Sequence, residues 1–323
     1  MIQVHILEQL TRPEIFNGPP GKVSLFLGGP FAAPVFMAAM GYFLAISGRG
    51  PLEKVIRGLL LILLGLLLNI GLNFNLLLHI FQGKINVDPL RYIFGADILP
   101  LAGLSIIFLG FTELILKKRA WPIIALAFAI PLLTDYLPDF PSNNKYLQAF
   151  ISGPSSWSYF PLFPWMAYPL LGYGWKRLEI EMPSLYEWAG KHVRYFIIPS
   201  LVLLIALAVT AFKTITDLPA YYHHGILLFL WMIGFLYGWT YLVSVFYNIA
   251  ADSQIIKYIK WLGEHVTLVY VIQWLIIGNL AFYLSGTQYL IQLLLWFVAV
   301  LAITSLLGFL ILRLWKKRSW SSA

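Results

Sequence analysis

Residues 55–80 read VIRGLLLILLGLLLNIGLNFNLLLHI. After Arg57 the run holds no Lys, Arg, Asp or Glu, and it exceeds the ~20 mostly apolar residues that cross the hydrocarbon core of a bilayer. Stretches of the same character lie at 24–47, 93–116, 121–137, 159–175, 194–212, 225–248, 266–284 and 288–312. Those at 121–137 and 159–175 are short and contain proline, whose freed backbone groups neighbouring helices can satisfy. The expected fold class is all-α, a polytopic transmembrane helix bundle forming a single domain over residues 1–323. With a partial first helix added, it has about ten spans.

Composition agrees. The 323 residues are 60% hydrophobic and 11% charged, against about 25% charged in an ordinary soluble domain. Mean hydropathy is +0.78, more apolar surface than one or two soluble cores could hide. The formal net charge of +8 does not point to nucleic acid, because the cations sit in short clusters between apolar runs. One set of loops carries Arg49, Lys54, Arg57, Lys117, Lys118, Arg119, Lys176, Arg177, Lys191, Arg194, Lys257, Lys260, Arg313, Lys316, Lys317 and Arg318. The alternate loops hold Arg12, Lys22, Lys84, Arg91, Lys145 and Lys213. By the positive-inside bias the first set is cytoplasmic, and so is the C-terminus. The sequence contains no cysteine, which removes disulfides, thiolate metal sites and a cysteine nucleophile from consideration. No metal site is expected, and no P-loop, HExxH, EF-hand or solenoid pattern occurs.

This parity puts residues 11–23 outside. MIQVHILEQL, residues 1–10, is apolar, about half a span long, and without the basic leader of a signal peptide. It reads as the outer half of a first helix whose inner half would precede Met1, or alternatively as an external amphipathic segment. Residues 179–192 (EIEMPSLYEWAGKH) read as an interfacial segment on the cytoplasmic surface, and 254–262 (QIIKYIKWL) as a second. The loop at 138–158, rich in Pro, Ser, Asn and Gly, reads as an external cap.

Ionisable groups at membrane depth are costly, so each is a functional candidate. Topology places His5, His79, Asp97, Asp135, His223 and His224 near external helix ends, and His192 and His265 on the cytoplasmic side. A histidine can serve as general base or transient acyl acceptor near neutral pH. His5 is the sharpest candidate, one or two turns inside the external end of the first helix. Asp97 in GADILP is either functional or serves as a helix cap or buried pairing partner, with Arg91 its natural counter-charge. His79 and the YYHH pair His223–His224 can bind substrate or merely join an interfacial aromatic belt. Asp135 and Asp139 frame a turn. A phosphate-rich donor such as coenzyme A could dock on Arg49, Lys54, Arg57, Lys257 and Lys260, although the positive-inside bias already explains these residues. The small-residue stretches GGPFAAPVFMAAMG and GLLLILLGLLLNIG allow close helix packing. Prolines 161, 164 and 169 make an irregular helix of FPLFPWMAYPLLGYG.

Four passages carry a family resemblance: PVFMAAMGYFLAISGRG, RYIFGADILPLAGLSII, FPLFPWMAYPLLGYG and WLGEHVTLVYVIQWLIIG. In their order the chain resembles the prokaryotic membrane proteins related to heparan-α-glucosaminide N-acetyltransferase, within the membrane acyltransferase superfamily that includes acyltransferase family 3. The resemblance implies a bundle of ten or eleven helices that transfers acetyl from cytoplasmic acetyl-CoA to an extracytoplasmic sugar, with a histidine near the external face. VHILEQ puts His5 at the histidine of the "RG…H" first helix of the acyltransferase-3 branch, while Gln273 stands where many relatives have histidine, and Asp97 and Pro100 alter the "GVLQ" helix. Implied partners are the bilayer of the cell (inner) membrane, an acyl-CoA co-substrate and a sugar or glycan acceptor, with a homodimer as an option and no tightly bound cofactor. The rival expectations are a transporter or flippase and a non-catalytic membrane subunit.

Overall fold

A computed structural model describes residues 1–137, 144–153 and 156–321. The chain opens with α1 (Ile2–Leu10), α2 (Pro13–Phe16), α3 (Pro19–Leu44), α4 (Pro51–Leu72), α5 (Phe74–Phe81) and α6 (Leu90–Ile93). It continues with α7 (Ile98–Leu116), α8 (Ala120–Leu133), α9 (Lys145–Ile151), α10 (Leu162–Trp165), α11 (Ala167–Glu181) and α12 (Pro183–Lys191). It ends with α13 (Arg194–Ala206), α14 (Ala208–Ile215), α15 (Leu218–Tyr222), α16 (Ile226–Ala250), α17 (Gln254–Glu264), α18 (Val266–Leu284) and α19 (Leu290–Ser321). The described residues form no strand beyond two isolated bridges. The protein is all-helical.

Among the described residues six helices are long and apolar enough to cross a membrane: α3, α4, α7, α16, α18 and α19 as far as Trp315. The burial pattern of α4 shows which solvent they are built for. Its buried residues are Lys54, Gly58, Gly65, Leu68 and Asn69, at spacings of three and four that mark one helical face. Leu59, Leu60, Leu63 and Leu67 are exposed on the other side. A water-soluble helix has the reverse arrangement, so the outer face of α4 is made for lipid. The molecule is a multi-pass membrane protein.

The remaining apolar runs are broken, and the breaks have causes. The 55–80 run divides at Asn73. There Asn279 Nδ2 donates to the Gly71 carbonyl at 2.9 Å, the acceptor that the Asn75 N–H would use in a continuous helix. Asn279 Oδ1 in turn accepts from Asn75 Nδ2 at 3.0 Å. The 194–212 run divides at Leu207, where the Trp231 indole donates to the Leu204 carbonyl at 3.1 Å, the acceptor Ala208 would use. The 159–175 run breaks into α10 and α11, as its prolines require, with a cis peptide at Phe163–Pro164. The 121–137 run is the shorter α8, ended by a 3₁₀ turn at Thr134–Tyr136. The 179–192 segment covers the end of α11 and all of α12, with Leu185, Tyr186 and Trp188 exposed; α12 and Tyr195–Ala206 meet at 73°. Of the 138–158 loop, residues 138–143, 154 and 155 lie outside the described residues, and Asp139 with them.

Two compact units emerge. One comprises residues 1–28, 70–87 and Tyr241 onward; the other comprises Gly29–Asn69 and Asp88–Thr240. The second unit is drawn together by small residues at helix crossings. On α3 and α11, a Cβ at Gly41 would strike the Pro169 carbonyl, and a Cβ at Gly172 the Ala38 carbonyl. On α4 and α7, Gly58 and Gly103 face each other's carbonyls in the same way. Backbone cannot swing aside as a side chain does. Gly172→Val is therefore expected to destabilise the folded state by about 3 kcal/mol, the upper end for overpacking. Detergent-solubilised protein melting within a degree of wild type would contradict this.

Candidate functional site

His5 lies in the first unit, on α1, which packs against α18 and α19. Its neighbours come mainly from α18. Gln273 Nε2 is 3.3 Å from His5 Nδ1. The Trp274 ring lies 4.2 Å away at a tilt of 30°, and Tyr270 meets the imidazole edge-on at 6.1 Å. Residues 270, 273 and 274 share one face of α18 by the three-and-four spacing of a helix, which is why one imidazole touches all three. Gln273 is wholly buried, yet its carboxamide oxygen has no partner, and neither has the Trp274 indole N–H. Buried polar atoms are normally satisfied, so two orphans beside a histidine call for an explanation. His79, on α5 in the same unit, turns Nδ1 to the Asn75 carbonyl at 2.8 Å and stacks near Phe282 at 4.7 Å.

The second unit holds the other candidates. Asp97 is the N-cap of α7 and accepts from the Ile98 N–H at 2.7 Å. Asn69 supports that turn, donating to the carbonyls of Ile93 (3.1 Å) and Gly95 (2.9 Å). Arg91, half-exposed on α6, pairs loosely with Asp88 at 3.9 Å and stacks its guanidinium 4.9 Å over Trp157. Asp88 is the better-served anion, accepting from Tyr146 Oη at 2.6 Å and from Lys145 Nζ at 3.0 Å. These bonds, the tyrosine's foremost, hold its carboxyl down to about 2.

His223 and His224 part company where α15 ends. His224 is buried: its Nδ1–H donates to the Tyr221 carbonyl at 2.8 Å, which leaves Nε2 to accept from Tyr168 Oη at 2.7 Å. Trp165 closes over the ring at 5.1 Å and donates its own N–H to the Tyr222 carbonyl. His224 thus has both nitrogens engaged within an aromatic box. His223 is half-buried, and its Nδ1 is unpartnered.

The family model for the catalytic region of heparan-alpha-glucosaminide N-acetyltransferase matches residues 1–199. That is more than half of the chain. The chain belongs to the heparan-alpha-glucosaminide N-acetyltransferase family. No curated protein and no solved structure matches it. The segment matched to the N-acetyltransferase family contains His5, His79, Arg91 and Asp97 and stops short of His223, His224, Gln273 and Trp274.

Within this N-acetyltransferase-family chain the basic residues divide sharply. Arg49 and Arg57 are exposed, as are Lys257 and Lys260 on α17, where Tyr258 Oη meets Ser305 Oγ of α19 at 2.6 Å. Lys54 is buried, and its ammonium is bonded to Glu113 of α7. Glu113 also accepts from Tyr173 Oη of α11 at 2.6 Å. Lys54 is therefore committed to holding three helices, while the other four cations are exposed, Lys260 beside Glu264 at 3.9 Å. Reading the sequence alone missed this triad. The available signal was that Glu113 is the one carboxylate between Asp97 and the Lys117–Arg119 cluster, too deep in an apolar run to stay unpaired. Among the described residues no three His, Asp or Glu side chains gather as metal ligands.

Proposed function

We propose that this protein is a membrane acetyltransferase that takes acetyl from acetyl-CoA on the cytoplasmic side and delivers it to an extracytoplasmic sugar or glycan. The observation that carries this is His5: a half-buried imidazole, held by Gln273 and Trp274, in the part of the chain matched to the N-acetyltransferase family. As general base it would take the proton of an acceptor hydroxyl or amine; as nucleophile it would carry the acetyl group itself. Within the unit of His5, His79 would line the acceptor's approach; in the other unit Asp97, Arg91 and His223 are the proposed acceptor contacts, while His224, with both nitrogens engaged, would hold its aromatic box. Arg49 and Arg57 in one unit, and Lys257 and Lys260 in the other, are the exposed cations that would meet phosphates of coenzyme A, with Lys54 as a buried structural cation.

The sidedness rests on the Lys and Arg distribution, which also puts the C-terminus in the cytoplasm. About ten membrane-embedded elements result when α1, the shorter helices α8 and α11 and the broken pairs are added to the six long helices. The test is radiolabelled acetyl-CoA supplied to the cytoplasmic face of sealed vesicles containing the protein, with glucosamine in the lumen. Labelled N-acetylglucosamine inside is the expected result. Movement of intact acetyl-CoA or of glucosamine without acetylated product would mean a transporter instead.

A further inference from the structure

The two orphaned polar groups beside His5 are adjacent in sequence, side by side on one helix. Gln273 has no exposed surface, and its carboxamide oxygen is unpartnered; the Trp274 N–H is likewise sealed and unpartnered. Leaving a buried donor or acceptor unmade costs about 1–3 kcal/mol each, so a protein that keeps two together has a use for them.

The bond to His5 limits what that use is. With the Gln273 amide nitrogen facing His5 Nδ1 at 3.3 Å, the amide must donate, Nδ1 must carry the lone pair, and the proton sits on Nε2. In that tautomer His5 has no free lone pair and cannot accept a proton. Rotating the carboxamide half a turn about its last bond keeps the contact but reverses it. The Gln273 oxygen then accepts from Nδ1–H, and Nε2 is free to act as a base. The same rotation converts the orphan from an acceptor into a donor. The unpartnered groups become the Gln273 –NH₂ and the Trp274 N–H, both donors, carried by two residues that each touch the imidazole.

We propose that Gln273 and Trp274 bind the carbonyl oxygen of the acetyl thioester and stabilise the oxyanion that forms during transfer, with Gln273 also positioning His5. This rests on the acetyltransferase reading above and names the machinery of that same site. In the step, the acceptor oxygen or nitrogen bonds to the thioester carbonyl carbon, and its proton passes to His5 Nε2. The carbonyl π pair moves onto oxygen, where the two N–H groups hold it. Collapse restores the C=O bond and breaks the C–S bond, and the coenzyme A thiolate leaves with the proton returned from His5. Donors aimed at developing charge in a water-poor site are the strongest aid acyl transfer can receive.

The experiment measures acetyl transfer from acetyl-CoA to glucosamine by the detergent-solubilised full chain. It compares Trp274→Phe, Gln273→Glu and Gln273→Leu with wild type, with thermal melting as a folding control. Trp274→Phe keeps the ring on His5 and deletes one donor; kcat should fall about 10²–10³-fold with KM for acetyl-CoA within about twofold. Gln273→Glu keeps an acceptor for Nδ1–H and deletes the other donor, so its kcat should lie below wild type and above that of Gln273→Leu, which loses both functions. Folded Trp274→Phe and Gln273→Leu that turn over at the wild-type rate, in a protein whose wild type is active, would overturn the oxyanion site alone. An inactive wild type would overturn the acetyltransferase reading and this one with it.

Discussion

Lys54→Met is expected to lower the stability of the folded protein by about 3–5 kcal/mol, because it leaves the Glu113 carboxylate buried without its cation. Lys54 and Glu113 are both sealed from solvent, Lys54 in the first turn of α4 and Glu113 near the end of α7. Lys118 is a poor substitute: its ammonium stays half-exposed and 3.9 Å from the other carboxylate oxygen. The positive charge of Lys54 is needed only because Glu113 is charged. Pairing Lys54→Met with Glu113→Gln removes both charges while keeping an acceptor for Tyr173 Oη, and should recover most of the loss. Adding Tyr173→Phe should cost the double variant about 1–3 kcal/mol more, because the amide oxygen at position 113 is then buried without a donor. Reversible unfolding in mixed micelles measures all three. A Lys54→Met protein within about 1 kcal/mol of wild type would show that the pair is hydrated and only loosely coupled.

The same triad shows where sequence reading stops. Lys54 belongs to a cytoplasmic cluster that the positive-inside bias explains fully, so nothing local separates it from Arg49 or Arg57. What separates them is a carboxylate 59 residues away, and that proximity is a property of helix packing. The long apolar runs were legible because hydropathy over ~20 residues is a local quantity. Their interruptions at Asn73 and Leu207 were not, because Asn279 and Trp231 cause them from distant helices. The proline break was legible, since Pro161, Pro164 and Pro169 lack the N–H wherever they are placed.

The site divides along the same line. For Asp97 the sequence left capping and function both open, and the bond to the Ile98 N–H makes capping at least part of its work. His223 and His224 are neighbours with equal claims in the sequence. Only the turn ending α15 sends one ring into the Trp165–Tyr168 box and leaves the other half-buried. Gln273 drew notice merely as a departure from a family pattern. Its meaning depends on facing His5 from 268 residues along the chain.

His5 itself carries the larger catalytic consequence. A positioned general base contributes typically 10²–10⁴-fold, so His5→Phe should reduce acetyl transfer to glucosamine by about that factor. Phenylalanine is the informative substitution because it keeps an aromatic ring against Trp274, at 4.2 Å in the native protein, and removes both nitrogens. Thermal melting should therefore fall less than for His5→Ala, since the ring contact, worth about 0.5–1.5 kcal/mol, is retained and only the bond to Gln273 is lost. His5→Ala loses that contact as well and leaves a space between Trp274 and Tyr270 that free imidazole fits. Added imidazole should restore part of the activity to His5→Ala and none to His5→Phe, where the ring blocks entry. A protein that needs His5 only for packing behaves in the opposite way: His5→Phe transfers acetyl at the wild-type rate, and imidazole changes nothing. That pair of results would remove His5 from the chemistry, even if the family's reaction were still observed.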